Sequence, residues 1–386
     1  MKNISCRYGL VGDDLELKEN VNIDVDDEGI ISNISFKDPK KEIDLSQNKN
    51  NFIAIPGFIN SHTHIGDNFA KEMGYNKELK QIVSAPIGLK HRLLERASKD
   101  IKVLGIQNAV EEMLSNGITF FIDYRERSIE GITLLKEALI ESPINFQILG
   151  RFESNEELRE VFQLADGIGI PNYNRIDSNN LDMLKKLKEK SEKLVSTHCA
   201  EKVREEELVQ KLFSDQLVDV IIHGTQFIEE DLQKIKSNNI SLVLCPINNS
   251  YFGLGFPPIL EIIRLNIPIS LGTDNFMTNS PDLFEEMRYF FNIFKVLNKE
   301  NTELSLSAID LLKMVTINAA RNFKLDKKIG SIKKGKSADL FMINLNDINF
   351  YSADIDSSLL YPLIVQRTKV ENIKKVYIKG NQVFKR

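Results

Sequence analysis

Through the middle of the chain one pattern recurs eight times: a short apolar run, then a longer charged segment whose apolar residues return at three- and four-residue steps. The runs are Pro56–His64, Ile118–Asp123, Asn145–Gly150, Gly167–Ile170, Leu194–His198, Val218–His223, Ser241–Cys245 and Pro268–Asp274. Buried strands alternating with amphipathic helices are the signature of a parallel βα sheet. Segments such as Leu181–Lys193, Glu229–Asn238 and Pro281–Lys295 follow the cap-like Asn180, Ile228-Glu229 and Ser280-Pro281, as helices do. Eight such units over about 270 residues match a closed (β/α)8 TIM barrel. The alternative is a doubly wound open sheet, but no Gly-x-Gly-x-x-Gly follows the first run. The expected fold class is α/β.

Both ends read differently. Asn22–Val25 and Ile30–Phe36 alternate around the turn-like Asp26-Asp-Glu-Gly, and Asp339–Leu345 and Lys375–Phe384 do so near the other end, with Gly380-Asn381 as the expected hairpin turn. Neither end carries enough apolar surface to fold alone. We therefore expect 1–56 and 330–386 to combine into one small β-sandwich domain beside a 57–329 barrel.

The 386 residues, 42% hydrophobic and 27% charged, are enough for a large core. A net charge of −5 with lysines and acids interspersed argues against nucleic acid, which calls for a concentrated basic face. No stretch reaches the roughly 18 apolar residues of a membrane span, and the opening segment has no sustained apolar core, so a cytoplasmic protein is expected. Cys6, Cys199 and Cys245 are odd in number and far apart, which suits three small buried residues in a reducing compartment.

Reactive groups of such a barrel stand at the C-terminal ends of its strands. Of only five histidines, four end predicted strands: His62 and His64 the first, His198 the fifth and His223 the sixth, while Asp274 ends the eighth. Residues i and i+2 of a strand share a face, so His62 and His64 project together, and barrel closure lets His198 and Asp274 complete a ligand set. Imidazoles with one carboxylate suit zinc, iron or manganese. A lone strand histidine is usually just packed and hydrogen-bonded, but four at one barrel face make that account poor. His91, in a lysine-rich stretch, is expected on a helix surface without a role, and Arg125 and Glu126 are expected to pair with each other.

The chain resembles the amidohydrolase superfamily at Ile55-Pro-Gly-Phe-Ile-Asn-Ser-His-Thr-His64, Thr197-His-Cys-Ala-Glu201, Ile222-His-Gly-Thr225, Leu244-Cys-Pro-Ile-Asn-Asn249 and Leu271-Gly-Thr-Asp-Asn275. Thr316–Arg321 and Ile329–Leu340 are similar to that family's return into its small β domain, so the resemblance spans nearly the whole chain. Within it, His198-x-x-Glu201 is similar to the cytosine deaminase, guanine deaminase, S-adenosylhomocysteine deaminase and triazine hydrolase branch. Relatives with two metals carry a bridging lysine on strand four, and Asp166–Tyr173 has none, which implies one divalent ion, zinc first among the candidates.

The resemblance implies hydrolytic deamination of an amino-substituted nitrogen heterocycle by metal-activated water. Asp274 would ligate the ion and take the proton, His223 would hydrogen-bond the water or the developing oxyanion, and Glu201 would protonate the ring. Arg151, Asn172 and Asn249 could contact substrate through polar bonds, and Phe69, Phe252 and Phe276 could stack on a planar ring. Hydrolysis of a cyclic amide or halogenated ring by the same site is the alternative, as is a non-catalytic assembly protein on the same fold, although no ligand is missing. The expected partners are a small heterocyclic substrate and a second copy of the chain in a homodimer.

Overall fold

A computed structural model describes residues 2–40, 51–84, 87–300, 303–351 and 356–386, so Met1, 41–50 and 352–355 of the expected small domain lie outside the described residues. The chain opens with β1 (Lys2–Val11), β2 (Glu16–Val25), β3 (Ile31–Lys37) and β4 (Phe52–Pro56). A second set follows: β5 (Phe58–His64), β6 (Ile118–Arg125), β7 (Asn145–Gly150), β8 (Gly167–Ile170), β9 (Leu194–Cys199), β10 (Val220–His223), β11 (Ser241–Leu244), β12 (Ile269–Leu271) and β13 (Asp274–Asn275). The chain closes with β14 (Leu340–Asn344), β15 (Ile373–Ile378) and β16 (Asn381–Lys385).

The second set is one parallel sheet in the order β12-β11-β10-β9-β8-β7-β6-β5-β13. Its two ends, β12 and β13, are separated by only Gly272 and Thr273, so the sheet closes on itself and β12 and β13 together form the eighth strand of a (β/α)8 barrel. That strand was expected as one run. It breaks because Asp274 takes a left-handed backbone conformation, φ 61°, and redirects the chain from β11 toward β5.

Strands from both chain ends form a seven-stranded sheet, β16-β15-β14-β4-β1-β2-β3, mostly antiparallel. The two-residue period sorts its side chains. Ala54, Leu340 and Met342 face a small core with Ile4, Val21 and Ile23, while Ile53, Ile55, Phe341 and Ile343 face the barrel's own core. Each buried Val, Leu, Ile, Met or Phe side chain among these contributes about 1.5–3 kcal/mol of transfer free energy. Phe341 meets Phe58 edge-on at 4.8 Å, and Phe58 meets Phe284 of the helix Leu283–Leu297 at 4.9 Å, which locks the sheet against the barrel.

The C-terminal hairpin turns one residue earlier than expected. Lys379 and Gly380 both have positive φ, 50° and 68°, the requirement of the tight turn that matches strand twist, and Asn381 already pairs with Ile378. The helix expected at Leu181 starts at Ser178, because Asp177 rather than Asn180 caps it by accepting from the Asn180 backbone N–H. All three cysteines are free and buried. Among the described residues no helix is long and apolar enough to cross a membrane.

Candidate metal centre and active site

Every residue of β5 is buried, and alternation places Asn60, His62 and His64 on one side. Asn60 ties β5 to the eighth strand: its amide donates to Thr273 Oγ1 at 2.7 Å and its carbonyl accepts from the Thr273 N–H at 3.0 Å. A side chain at Gly272 would place its Cβ 2.6 Å from that of His62, so only glycine allows the two strands this approach. Asp274 consequently lies opposite Thr63, with Oδ1 3.1 Å from His62 Nε2 and 3.5 Å from His64 Nε2. His198, at the end of β9, completes the ring group, 4.9 Å from His62 between centroids.

Hydrogen bonds fix which nitrogens are available. His64 Nδ1 faces two acceptors that have no proton to give, the Tyr124 carbonyl at 2.9 Å and Glu126 Oε1 at 2.8 Å. His198 Nδ1 faces the Ile170 carbonyl at 3.2 Å. Both must carry the proton on Nδ1, which leaves the Nε2 lone pairs pointing inward. Neither ring nitrogen of the fully buried His62 has a hydrogen-bond partner. Buried lone pairs gathered around a carboxylate call for a cation.

The donor set fits one. His62, His64 and His198 each offer an atom within 4.8 Å of the others, and so do His62, His223 and Asp274. Burial pushes His62 down to about 3 and, with the neighbouring histidines, holds His198 well below the usual imidazole value. Burial alone would raise Asp274, but the imidazoles of His62, His223 and His64 outweigh it and keep the carboxyl below its ordinary range. Neutral imidazoles beside an ionised carboxylate are the protonation states that a divalent ion requires.

His223 and Glu201 stand next to this group. His223 Nε2 is 3.8 Å from Asp274 Oδ2 and 3.6 Å from Glu201 Oε1. His223 and Asp274 both have positive φ, 72° and 61°, a conformation costing of order 1–3 kcal/mol in a residue with a side chain and one that clusters at functional sites. Burial, assisted by Asp274 and opposed by His223, raises the Glu201 carboxyl. A cavity of about 730 Å³ opens over His64, His198, Glu201, His223 and Asp274, a volume suited to a small molecule.

The expected substrate contacts divide. Arg151 and Asn172 line the cavity. Asn249 does not: it is buried and donates to Thr225 Oγ1 at 3.1 Å, whereas its neighbour Asn248 lines the cavity, grips Asp274 Oδ2 and accepts from Thr278 at 3.1 Å. Both lie on the helix Pro246–Tyr251, where consecutive residues point about 100° apart, so only one can face Asp274. Phe276 is buried in the main core, and Phe69 and Phe252 pack around Ala70, Ile82 and Met277; the aromatic side chain that does line the cavity is Phe152. His91 also lines it, half-buried, with Nε2 3.0 Å from the Val83 carbonyl. Arg125 and Glu126 do pair, at 3.1 Å, but Glu126 also reaches His64 and Lys90. Lys90 and Asp67 gave no sequence signal, since a lysine in a lysine-rich helix reads as solvated.

Residues 53–383 match the model of the amidohydrolase family. The chain is 34% identical over 370 residues to an uncharacterised protein of Methanocaldococcus jannaschii, covering 91% of this chain and 92% of the relative. It is 27% identical to a 5-methylthioadenosine/S-adenosylhomocysteine deaminase of Thermoanaerobacter pseudethanolicus, over 87% of this chain and 83% of that one. Its fold is shared with a zinc-bound adenosine deaminase from Xanthomonas campestris, at a TM-score of 0.82 and 19% identity over 98% and 92% of the two chains. The chain belongs to the amidohydrolase family.

Proposed function

We propose that the protein deaminates an amino-substituted nitrogen heterocycle hydrolytically, with one divalent ion, zinc by preference, held by His62, His64, His198 and Asp274. The observation that carries this reading is the cavity that opens over His64, His198 and Asp274, clustered with the buried His62, beside the separate carboxyl of Glu201, raised by burial. A divalent ion held by these residues would lower the pKa of water from 15.7 toward about 7.

The chain's own groups account for the remaining proton movements. Asp274, steadied by the Asn248 amide, takes the proton released as water oxygen bonds to the ring carbon. His223 Nε2 hydrogen-bonds the oxygen as charge develops on it. Glu201 gives its proton to the ring nitrogen, which makes the carbon electrophilic; the proton taken by Asp274 passes to the exocyclic amine, the carbon–nitrogen bond breaks with ammonia leaving, and the new hydroxyl returns its proton to Glu201 as it becomes the product carbonyl. Arg151 and Asn172 would set substrate orientation from the cavity wall. In this reading 57–329 forms the catalytic domain, and 1–56 with 330–386 a structural one.

Ammonia release across a panel of aminopyrimidines, aminopurines, pterins and nucleosides, with 5-methylthioadenosine and S-adenosylhomocysteine included, tests the proposal. Turnover of at least one is expected. No ammonia from any member, together with hydrolysis of a cyclic amide or a halogenated ring, would replace deamination with the same chemistry on another leaving group.

A further inference from the structure

Beside the cavity, with Lys90 and Glu126 reaching its wall, lies a buried group of charges that the reaction above does not use. Asp67, Lys90, Asp123, Arg125 and Glu126 are each no more than 3% exposed. Lys90, from the helix Leu89–Arg96, reaches Asp67 Oδ2 at 3.1 Å and Glu126 Oε1 at 2.5 Å. Arg125 reaches Glu126 Oε2 at 3.1 Å and Asp123 Oδ2 at 3.3 Å. Asp123 Oδ1 in turn accepts from the Ile65 N–H at 3.0 Å and from Thr63 Oγ1 at 3.2 Å, the two residues flanking His64. A Cβ on Gly66 would lie 1.9 Å from Arg125 Nη2, so the segment beside His64 is shaped to admit this guanidinium.

These interactions converge on one atom pair. Glu126 Oε1 accepts from His64 Nδ1 at 2.8 Å, and both oxygens of the same carboxylate are held by cations. We propose that Glu126 is a positioning residue of the metal centre: it fixes the tautomer and ring angle of His64, while Lys90 and Arg125 hold its carboxylate in place. The inference rests on His64 being a metal ligand. Outer partners of ligating histidines characteristically contribute 10–100-fold in metal affinity. The Tyr124 carbonyl, 2.9 Å from the same nitrogen, supports the tautomer but is fixed to its strand and carries no charge to strengthen the ligand.

The test compares wild type with Glu126→Asp, Glu126→Gln and His64→Ala. Zinc affinity is measured by chelator competition, thermal stability on the metal-free chains, and the His64 tautomer by ring ¹⁵N shifts. Glu126→Asp keeps the counter-charge for Lys90 and Arg125 but withdraws the oxygen from His64, so it should fold and bind zinc 10–100-fold more weakly. Glu126→Gln should show the same loss together with a lower melting temperature, because two buried cations each lose one of their two carboxylate partners. Zinc affinity of Glu126→Asp within twofold of wild type would overturn the proposal, since the Tyr124 carbonyl would then suffice. His64→Ala separates the two claims: if it too binds zinc like wild type, the assignment of His64 as a ligand fails, whereas loss in His64→Ala alone refutes only the role of Glu126.

Discussion

The seven-stranded sheet and the barrel mouth both bury charge, but they treat it in opposite ways. In the sheet region each buried charge is closed off. The buried Lys336 donates to the part-buried Asp13 at 3.0 Å, which also accepts from Ser331 at 2.7 Å and Lys333 at 2.6 Å, and the buried Asp339 accepts from Ser337 at 2.6 Å and the Lys379 N–H at 2.8 Å. Among the described residues of 2–40 and 329–386, no buried side-chain nitrogen or oxygen lacks a hydrogen bond. At the mouth, His62, His223 Nδ1, both oxygens of Asp67, Asp123 Oδ2 and Arg125 Nη1 all lack one, although several have an opposite charge nearby. Leaving a buried polar atom unmatched costs about 1–3 kcal/mol. Among the unmatched groups at the mouth, the His62 ring lies against Asp274, where a bound cation would satisfy it.

If that contrast is sound, the largest effects belong to the mouth. His62→Ala, His64→Ala, His198→Ala and Asp274→Ala should each lose both bound metal and turnover in one preparation assayed for the two together; full metal in any of them removes that residue from the coordination set. Glu201→Gln should retain normal metal and lose about 10²–10⁴-fold in turnover, because the amide keeps shape but cannot pass a proton. Near-normal turnover in that variant would reduce Glu201 to a wall residue.

The sheet should respond in stability alone. Asp13→Ala removes three charge-assisted bonds and should lower unfolding free energy on the order of 1–2 kcal/mol, the modest end because the carboxylate is partly open to solvent. Its kcat should not change, and a fall in kcat without a fall in stability would break the division between the regions.

Glu286 gives the finest test, because it lies behind the mouth yet is matched, accepting from the Ile247 N–H at 3.2 Å and the Asn279 amide at 2.9 Å. Burial pushes its carboxyl up from 4.5 to about 8. The native state therefore holds a proton that the unfolded chain has released. The associated stability is complete below about pH 4.5 and is lost as pH rises toward 8, with a slope of at most about 1.4 kcal/mol per pH unit. Urea midpoints measured from pH 5 to 9 should decline in wild type and lose this component in Glu286→Gln; an identical slope in both would assign the effect to other groups.

What the sequence revealed follows the same divide. Period and composition located eight strands and four strand-end histidines, because alternation along a strand is a one-dimensional property. The break between Leu271 and Asp274 was hidden, since a left-handed aspartate carries no pattern of its own. Asn248 was missed for Asn249 because the start of a six-residue helix decides which of two adjacent amides faces inward. Phe69, Phe252 and Phe276 were expected at the substrate because aromatics suit rings, but in three dimensions they support the wall from behind. Lys90, Asp67 and Glu126 come from separate segments and acquire meaning only when folding sets their charges against His64.

The central claim is that His62, His64, His198 and Asp274 together hold a single divalent ion. Counting metal equivalents on purified protein, after chelation and refilling with zinc, tests it most directly. The account predicts one tightly bound equivalent per chain, lost on chelation together with turnover and restored with it by zinc. A wild-type chain that takes up no zinc, or one that takes up two equivalents with equal affinity, would contradict it.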